Sequence, residues 1–439
     1  MLKKINLKDN TVSEIEKILD SRSKKDLSQY RETAQRIIED VKNRGDRALF
    51  EYTAQFDKVK LDGNNIKVSQ KEIEAALNKV DQDFLAALKK AAENIKDFHE
   101  KQKDNSWQKQ ERPGKITGQI CRPLENAGIY VPGGRAAYPS SVLMTAIPAK
   151  VAGVDNIIMV TPPGEKAEIS PVILAAAKIA GVDQIYKVGG AQAIAALAYG
   201  TKSIPSVDII VGPGNIYVTM AKELVFGQVK IDMTAGPSEI LILADQQANP
   251  AYLAADLMSQ AEHDPLASSI LVTDSKRLGE KVLEEIKRQI SDLDKKEIIR
   301  ESLKNYGLII EVEKLRKGLD VVNQIAPEHL ELAVEKPFDL LPMVKNAGSI
   351  FLGEYTPEPV GDYYAGPNHV LPTEGTARFF SPLSVRDFVK YSSFIYYSKE
   401  SLKEDADNII KLAEGEGLSA HANSIKIRKE SIEDDKDEN

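Results

Sequence analysis

One grammar, repeated four times between Gly128 and Gly227, constrains this chain more than any other feature. GIYVPGG leads into SSVLMTAIPAKVAGV, NIIMVTPPG into ISPVILAAAKIAGV, QIYKVGG into AQAIAALAYG, and DIIVGPGN into IYVTMAKELVFG. Each unit is a short β-rich run, a Gly/Pro turn and an apolar helix. That pattern requires a parallel sheet covered by helices. A second series follows: ILILAD, SSILVTDS, YGLIIEVE and SIFLG read as strands, with helices such as RLGEKVLEEIKRQISDL between them. The expected fold is α/β, with two Rossmann-like parallel-sheet domains and helical N- and C-terminal segments.

The flanks differ in texture. ETAQRIIEDVKNRGDRALFEYTAQF and KEIEAALNKVDQDFLAALKKAAENIKDFHEKQ carry apolar residues at three- and four-residue spacing, so residues 10–118 read as amphipathic helices. Residues 1–118 are expected to be a helical segment packing on the second α/β domain. The first α/β domain is expected over 119–237 and the second over 238–381, with the seam near Thr234–Ser238. RDFVKYSSFIYYS and KEDADNIIKLAEGEG predict a helical dimerisation segment over 382–439. It ends in the charge run KESIEDDKDEN, read as a frayed, disordered acidic tail.

Bulk properties exclude several classes. A net charge of −8 argues against a nucleic-acid binder. The N-terminus lacks the apolar core of a signal peptide, and VLMTAIPAKVAGV is too short to span a bilayer. Cys121 is the only cysteine, so neither an internal disulfide nor a thiolate zinc site is available. An intracellular, cytoplasmic location is expected. The 42% apolar content supports a sizeable core.

Chemistry must come from scattered polar residues. VGGAQ (188–192) and VGPGN (211–215) sit between strand and helix, where backbone N–H groups can hold a phosphate. Neither has the GxGxxG spacing, and a tight turn is the simpler reading. Among five histidines, His99 lies in an amphipathic helix and reads as structural. His263 ends a helix with Gln260 three residues earlier, so the two side chains share a face. His329 follows Glu328 at what reads as a helix start, where two groups of different pKa could do separate proton jobs. Asp362 and His369 lie in the loop GDYYAGPNHVLPTEG. His421 follows Glu416 by five residues. Singly, His263 reads as an ordinary helix-end cap, and His329 and His421 as surface residues. Together, Gln260, His263, Asp362 and His421 offer nitrogen and oxygen donors suited to Zn²⁺, Mn²⁺ or Co²⁺. Spacing alone does not bring them together.

These segments carry a closer signal. YVPGGRAAYPSSVLMTAIPAKVAGV, GGAQAIAALAYGT, VGPGNIYV, AGPSEILILAD, DLMSQAEHDP, IAPEHLEL, GDYYAGPNHVLPT and EGLSAHANS resemble the blocks of the histidinol dehydrogenase family, in that family's order, from about Thr11 to Arg428. The resemblance implies a zinc-dependent enzyme that oxidises L-histidinol to L-histidine through the aldehyde. It uses two NAD⁺ and performs the last step of histidine biosynthesis. It implies zinc ligands at Gln260, His263, Asp362 and His421, and an acid–base pair at Glu328 and His329. The same residues other than Glu328, with Ser238, His369 and Glu416, would contact substrate. Tyr130, Gln192 and Asn215 would contact NAD. The family is a homodimer whose C-terminal segment reaches the partner's site, which implies shared active sites here.

The mechanism implied assigns His329 to take the hydroxyl proton and Glu328 to activate water for the second oxidation. A metal-dependent hydrolase on an α/β scaffold is the alternative; it would need no dinucleotide. A thiol-based aldehyde dehydrogenase would need a nucleophilic cysteine, and Cys121 in QICRPLE reads as structural. A non-catalytic binding protein is the third option.

Overall fold

A computed structural model describes residues 2–7, 27–133, 137–234 and 236–437. The chain divides into two compact units. One holds the described residues up to Gln102 together with Leu124–Phe388; the other holds Lys103–Pro123 and the chain from Val389 onward.

The first unit contains two parallel sheets. In one, the spatial order is Gln184–Lys187, Asn156–Thr161, Asn126–Tyr130, Ile209–Val211, Lys230–Ile231. In the other it is Lys3–Asn6, Gly307–Glu311, Ser268–Thr273, Glu239–Ala244, His329–Ala333, Ser349–Leu352. Leaving aside the edge strand Lys3–Asn6, both sheets follow the order 3-2-1-4-5, so the same half-Rossmann topology occurs twice. Burial explains the strand sequences. Ile240, Leu241, Ile242 and Leu243 are fully enclosed, as expected for a parallel strand covered on both faces. One glycine is dictated by geometry: Gly212 has φ +111°, and a Cβ there would collide with the carbonyl of Tyr130.

The N-terminal helices pack differently from expectation. Ser28–Arg44 lies on Gly190–Tyr199 and Ile216–Val225, Gln70–Leu77 on Pro171–Ala180, and Gln82–Glu100 on Pro139–Ala152. All of these partners cover the first sheet; within the expected second domain, the strand Lys3–Asn6 joins the sheet and Gln82–Glu100 packs on Gly361–Ala365, with Asn94 donating to the Tyr364 carbonyl at 2.9 Å. The apolar faces of these helices complete the outer layer over the first sheet's own helices. The part of the expected helical segment over 8–26 lies outside the described residues.

The second unit corrects two further expectations. Trp107–Arg112, Lys115–Pro123 and Val389–Tyr397 form an antiparallel sheet with Lys115–Pro123 at its centre. Thus 103–118 is not helical, and FVKYSSFIYYS is a strand; its aromatic and β-branched residues suit a pleated surface. Helices Lys399–Gly415 and Ser419–Asp437 follow, and the charge run is helical as far as Asp437. Arg112 anchors Glu404 at 3.1 Å and Asp405 at 2.9 Å within this unit. Among the described residues, no helix is long and apolar enough to cross a membrane.

Candidate active site

The carboxyl ends of the first sheet open onto a cavity of about 1120 Å³. Tyr130 is the last residue of its strand, Gln192 lies in the first turn of Gly190–Tyr199, and Asn215 caps Ile216–Val225; all three line this cavity. This is the topological switch point at which doubly wound sheets bind ligands. The hydroxyl oxygen of Tyr130 accepts the Gly190 N–H at 3.1 Å, and burial pushes its pKa up to about 12. The Asn215 side chain accepts from the N–H groups of Tyr217 and Val218, which fixes the VGPGN turn. Gln192 is buried, and among the described residues neither amide atom has a hydrogen-bond partner. An unpaired buried amide costs stability unless a ligand completes it, so the cavity is built to receive a polar molecule.

A second cluster sits at the amino ends of the second sheet. His329 opens the strand His329–Ala333, so the expected helix start is a strand start. Pro327 and the left-handed Ala326 end the preceding helix Leu315–Ile325, and the chain enters the sheet directly. His329 donates Nδ1–H to the carbonyl of Glu239 at 2.9 Å. That bond sets the tautomer of the neutral ring: its lone pair lies on Nε2, which is buried without a hydrogen-bond partner among the described residues. Nε2 is 3.7 Å from Asp362 Oδ1. Glu328 Oε2 accepts the Glu239 N–H at 2.8 Å and lies 3.6 Å from His329 Nδ1.

The electrostatics follow from these distances. Burial pushes the Glu328 carboxyl up to about 7. Burial works against a charged His329, but Glu328, Asp362 and Glu358 outweigh it and hold the imidazolium up to about 10. Burial also opposes ionisation of Asp362; His329 and His369 overcome it and bring its pKa down to about 2. The charged forms of His329 and Asp362 thus favour one another across 3.7 Å.

The expected metal donors converge in part. Gln260 is buried near the end of the helix Pro250–Ala261, and its Oε1 has no hydrogen-bond partner among the described residues. His263 lies just beyond that helix, with its N–H on the Gln260 carbonyl at 3.3 Å. Its surface is open on one side while protein crowds the ring; the resulting desolvation lowers its pKa against the pull of Asp362, and His329 is also within electrostatic reach. Asp362 belongs to a π-helical turn, Gly361–Ala365, that follows the short helix Glu358–Val360, so the expected loop begins as helix. A buried amide oxygen lacking a donor, an imidazole and a low-pKa carboxylate form a donor set that fits zinc. The ligand atoms of His329, Glu358 and Asp362 also lie within 4.8 Å of one another. His421 and Glu416 are exposed on the second unit.

His369 donates Nδ1–H to the Asp362 carbonyl at 3.1 Å, and its Nε2 faces the Ser141 hydroxyl at 3.4 Å. Asn368 bonds the Met144 carbonyl at 2.6 Å and reaches His99 at 3.3 Å, so the buried His99 supports this loop. Ser238 directly precedes the strand Glu239–Ala244, close in sequence to the backbone that holds Glu328 and His329. Sequence reasoning missed Glu239, Ser259, Glu331 and Glu358. Ser259 donates to Glu358 Oε2 at 3.1 Å, and Glu331 accepts the Glu358 N–H at 2.9 Å. Burial pushes Glu358 up to about 8 and Asp256, beside Glu331, up to about 7. The only local signal for Glu331 was a carboxylate between two leucines of the strand His329–Ala333.

The histidinol dehydrogenase family pattern matches residues 20–429. The chain belongs to the histidinol dehydrogenase family. The histidinol dehydrogenase of Clostridium acetobutylicum is 59% identical over 410 residues, spanning 93% of this chain and 95% of the relative. That of Caldanaerobacter subterraneus is also 59% identical over 410 residues, with the same coverage. Among solved structures, the histidinol dehydrogenase of Elizabethkingia anophelis superposes with a TM-score of 0.92 at 39% identity, covering 98% of this chain and 99% of that one. The two parallel sheets described above are thus those of a histidinol dehydrogenase fold.

Proposed function

We propose that this chain oxidises L-histidinol to L-histidine through L-histidinal, with two NAD⁺ as hydride acceptors. As a histidinol dehydrogenase it is an NAD-dependent oxidoreductase, and the reaction would close histidine biosynthesis. One observation carries the reading: a buried His329 whose tautomer is set by Glu239, with Nε2 left unpaired beside Asp362.

An alcohol gives up its hydroxyl proton as hydride leaves carbon, and His329 Nε2 is placed to take it. The aldehyde has no further hydride to give until water adds. Glu328, poised near neutrality by burial, removes a proton from that water. His329 then takes the hydrate's proton in the second oxidation. Gln260, His263 and Asp362 would hold zinc, with His421 as the fourth ligand suggested by family resemblance. Bound zinc would orient the substrate's imidazole and amine, and its charge would offset that of Asp362 beside His329. Ser238, His369 and Glu416 would contact substrate; Tyr130, Gln192 and Asn215 would hold NAD in the 1120 Å³ cavity.

Two copies would form a homodimer with shared sites, His421 and Glu416 coming from the second chain, in the cytoplasm. The test of the reaction is histidinol-dependent NADH formation by the zinc-loaded protein and its loss in His329→Asn. A His329→Asn protein with wild-type turnover would remove this base from the mechanism. The hydrolase alternative has no use for the dinucleotide cavity.

A further inference from the structure

The wall of the nucleotide cavity contains a carboxylate that the mechanism does not use. Asp57 caps the C-terminus of the helix Asp46–Phe56, with its N–H on the Thr53 carbonyl at 2.9 Å. Lys58 follows in a left-handed conformation, φ +61°, and its Nζ bonds the Gln55 carbonyl at 2.7 Å. The turn therefore fixes where Asp57 sits. It lines the cavity with Tyr130, Gln192 and Asn215 and lies within electrostatic reach of the Tyr130 hydroxyl.

This placement is costly in three ways. The carboxylate stands at the negative end of a helix dipole, which disfavours an anion. Its Oδ2 is buried without a hydrogen-bond partner among the described residues. Burial pushes its pKa up to about 6. A residue that opposes folding on each count suggests a ligand group that repays it. The neighbouring Phe56 is an exposed aromatic on the same cavity wall, a platform for a base. A carboxylate beside such a platform is placed to accept hydrogen bonds from a ribose diol.

We propose that Asp57 binds the adenosine ribose of the dinucleotide through its 2′- and 3′-hydroxyls and so selects NAD⁺ over NADP⁺. The proposal rests on the reading of this cavity as the NAD site. The other charged groups on the wall agree with it. Among the described wall residues, Glu165 and Glu168 flank Lys166, so with Asp57 three acids accompany one lysine, a balance that disfavours a 2′-phosphate. No GxGxxG turn with its following acid is present, and an acid from the N-terminal helices takes the equivalent role.

Calorimetric titration of the zinc-loaded full-length protein with NAD⁺ and with NADP⁺ tests the proposal. Wild type should bind NAD⁺ about 10- to 100-fold more tightly than NADP⁺, the range expected from charged hydrogen bonds. Asp57→Asn and Asp57→Ala should lower that ratio at least about 10-fold, while Asp57→Glu should retain part of it. Melting temperatures of the Asn and Ala variants should match or exceed wild type, since an unpaired acid is removed. Gln192→Ala separates the two claims. If it binds NAD⁺ as wild type does, the cavity reading fails. If it loses affinity while the Asp57 variants keep the wild-type ratio, the role of Asp57 fails alone. A wild type that binds both dinucleotides equally also overturns the proposal.

Discussion

Ser259 donates its hydroxyl to Glu358 Oε2 at 3.1 Å, tying the helix that carries Gln260 to the turn that carries Asp362. Two proposed metal ligands thereby share one brace. The brace should matter for metal retention more than for folding. Each buried Ile or Leu of the second sheet contributes about 1.5–3 kcal/mol, and that core does not include the site. Chelation should therefore abolish turnover while leaving the melting transition cooperative. Ser259→Ala should release zinc to a competing chelator about 5-fold faster, as expected for one lost hydrogen bond. Full activity in the chelated protein would contradict the metal assignment.

Glu328 should separate the two oxidations. Only the second needs an activated water, and Gln cannot accept its proton. Glu328→Gln should still form NADH from histidinol, while oxidation of supplied histidinal slows by about 100-fold or more, the usual contribution of a general base. Histidinal oxidation at the wild-type rate would assign the water to another group.

His99 predicts how stability responds to acid. It is fully buried, with Nδ1–H donated to the Ile95 carbonyl at 2.7 Å, and desolvation lowers its pKa below the ordinary 6.5. Below 6.5 the unfolded chain binds a proton that the folded chain resists, so this contribution is present above 6.5 and lost as pH falls. Denaturant unfolding at stepped pH should show stability declining below 6.5. His99→Gln should flatten that slope whatever its effect on absolute stability. An unchanged slope would place the acid sensitivity elsewhere.

The strand–turn–helix series of the two sheets was legible because buried parallel strands read as continuous apolar runs, and Gly turns mark their ends. Lys115–Pro123 was not, because a largely solvated strand keeps no apolar run to read, and the aromatic run of Val389–Tyr397 becomes a strand only through its pairing with Lys115–Pro123. His329 was misplaced onto a helix because IAPEHLEL carries helix-compatible residues, and only pairing with Glu239–Ala244 makes it a strand. The histidines and Asp362 stood out by residue type and block resemblance. Ser259, Glu331 and Glu358 are single polar residues in no recognisable spacing. Their roles exist only where three separate segments meet.

A shared site makes a prediction about mixtures. His329→Asn and His421→Asn should each be inactive. If His421 serves a second chain, co-refolding the two at equal amounts makes about half the dimers mixed, each with one complete site. About a quarter of wild-type activity should return. Mutants that stay inactive while co-refolded wild type recovers would show that each chain uses its own His421.

The most direct test of the account is stoichiometry. Purified, zinc-loaded protein with limiting L-histidinol and excess NAD⁺ should yield two NADH for each histidinol consumed, with histidine as product. One NADH per histidinol, with histidinal accumulating, would contradict a site that carries both oxidations.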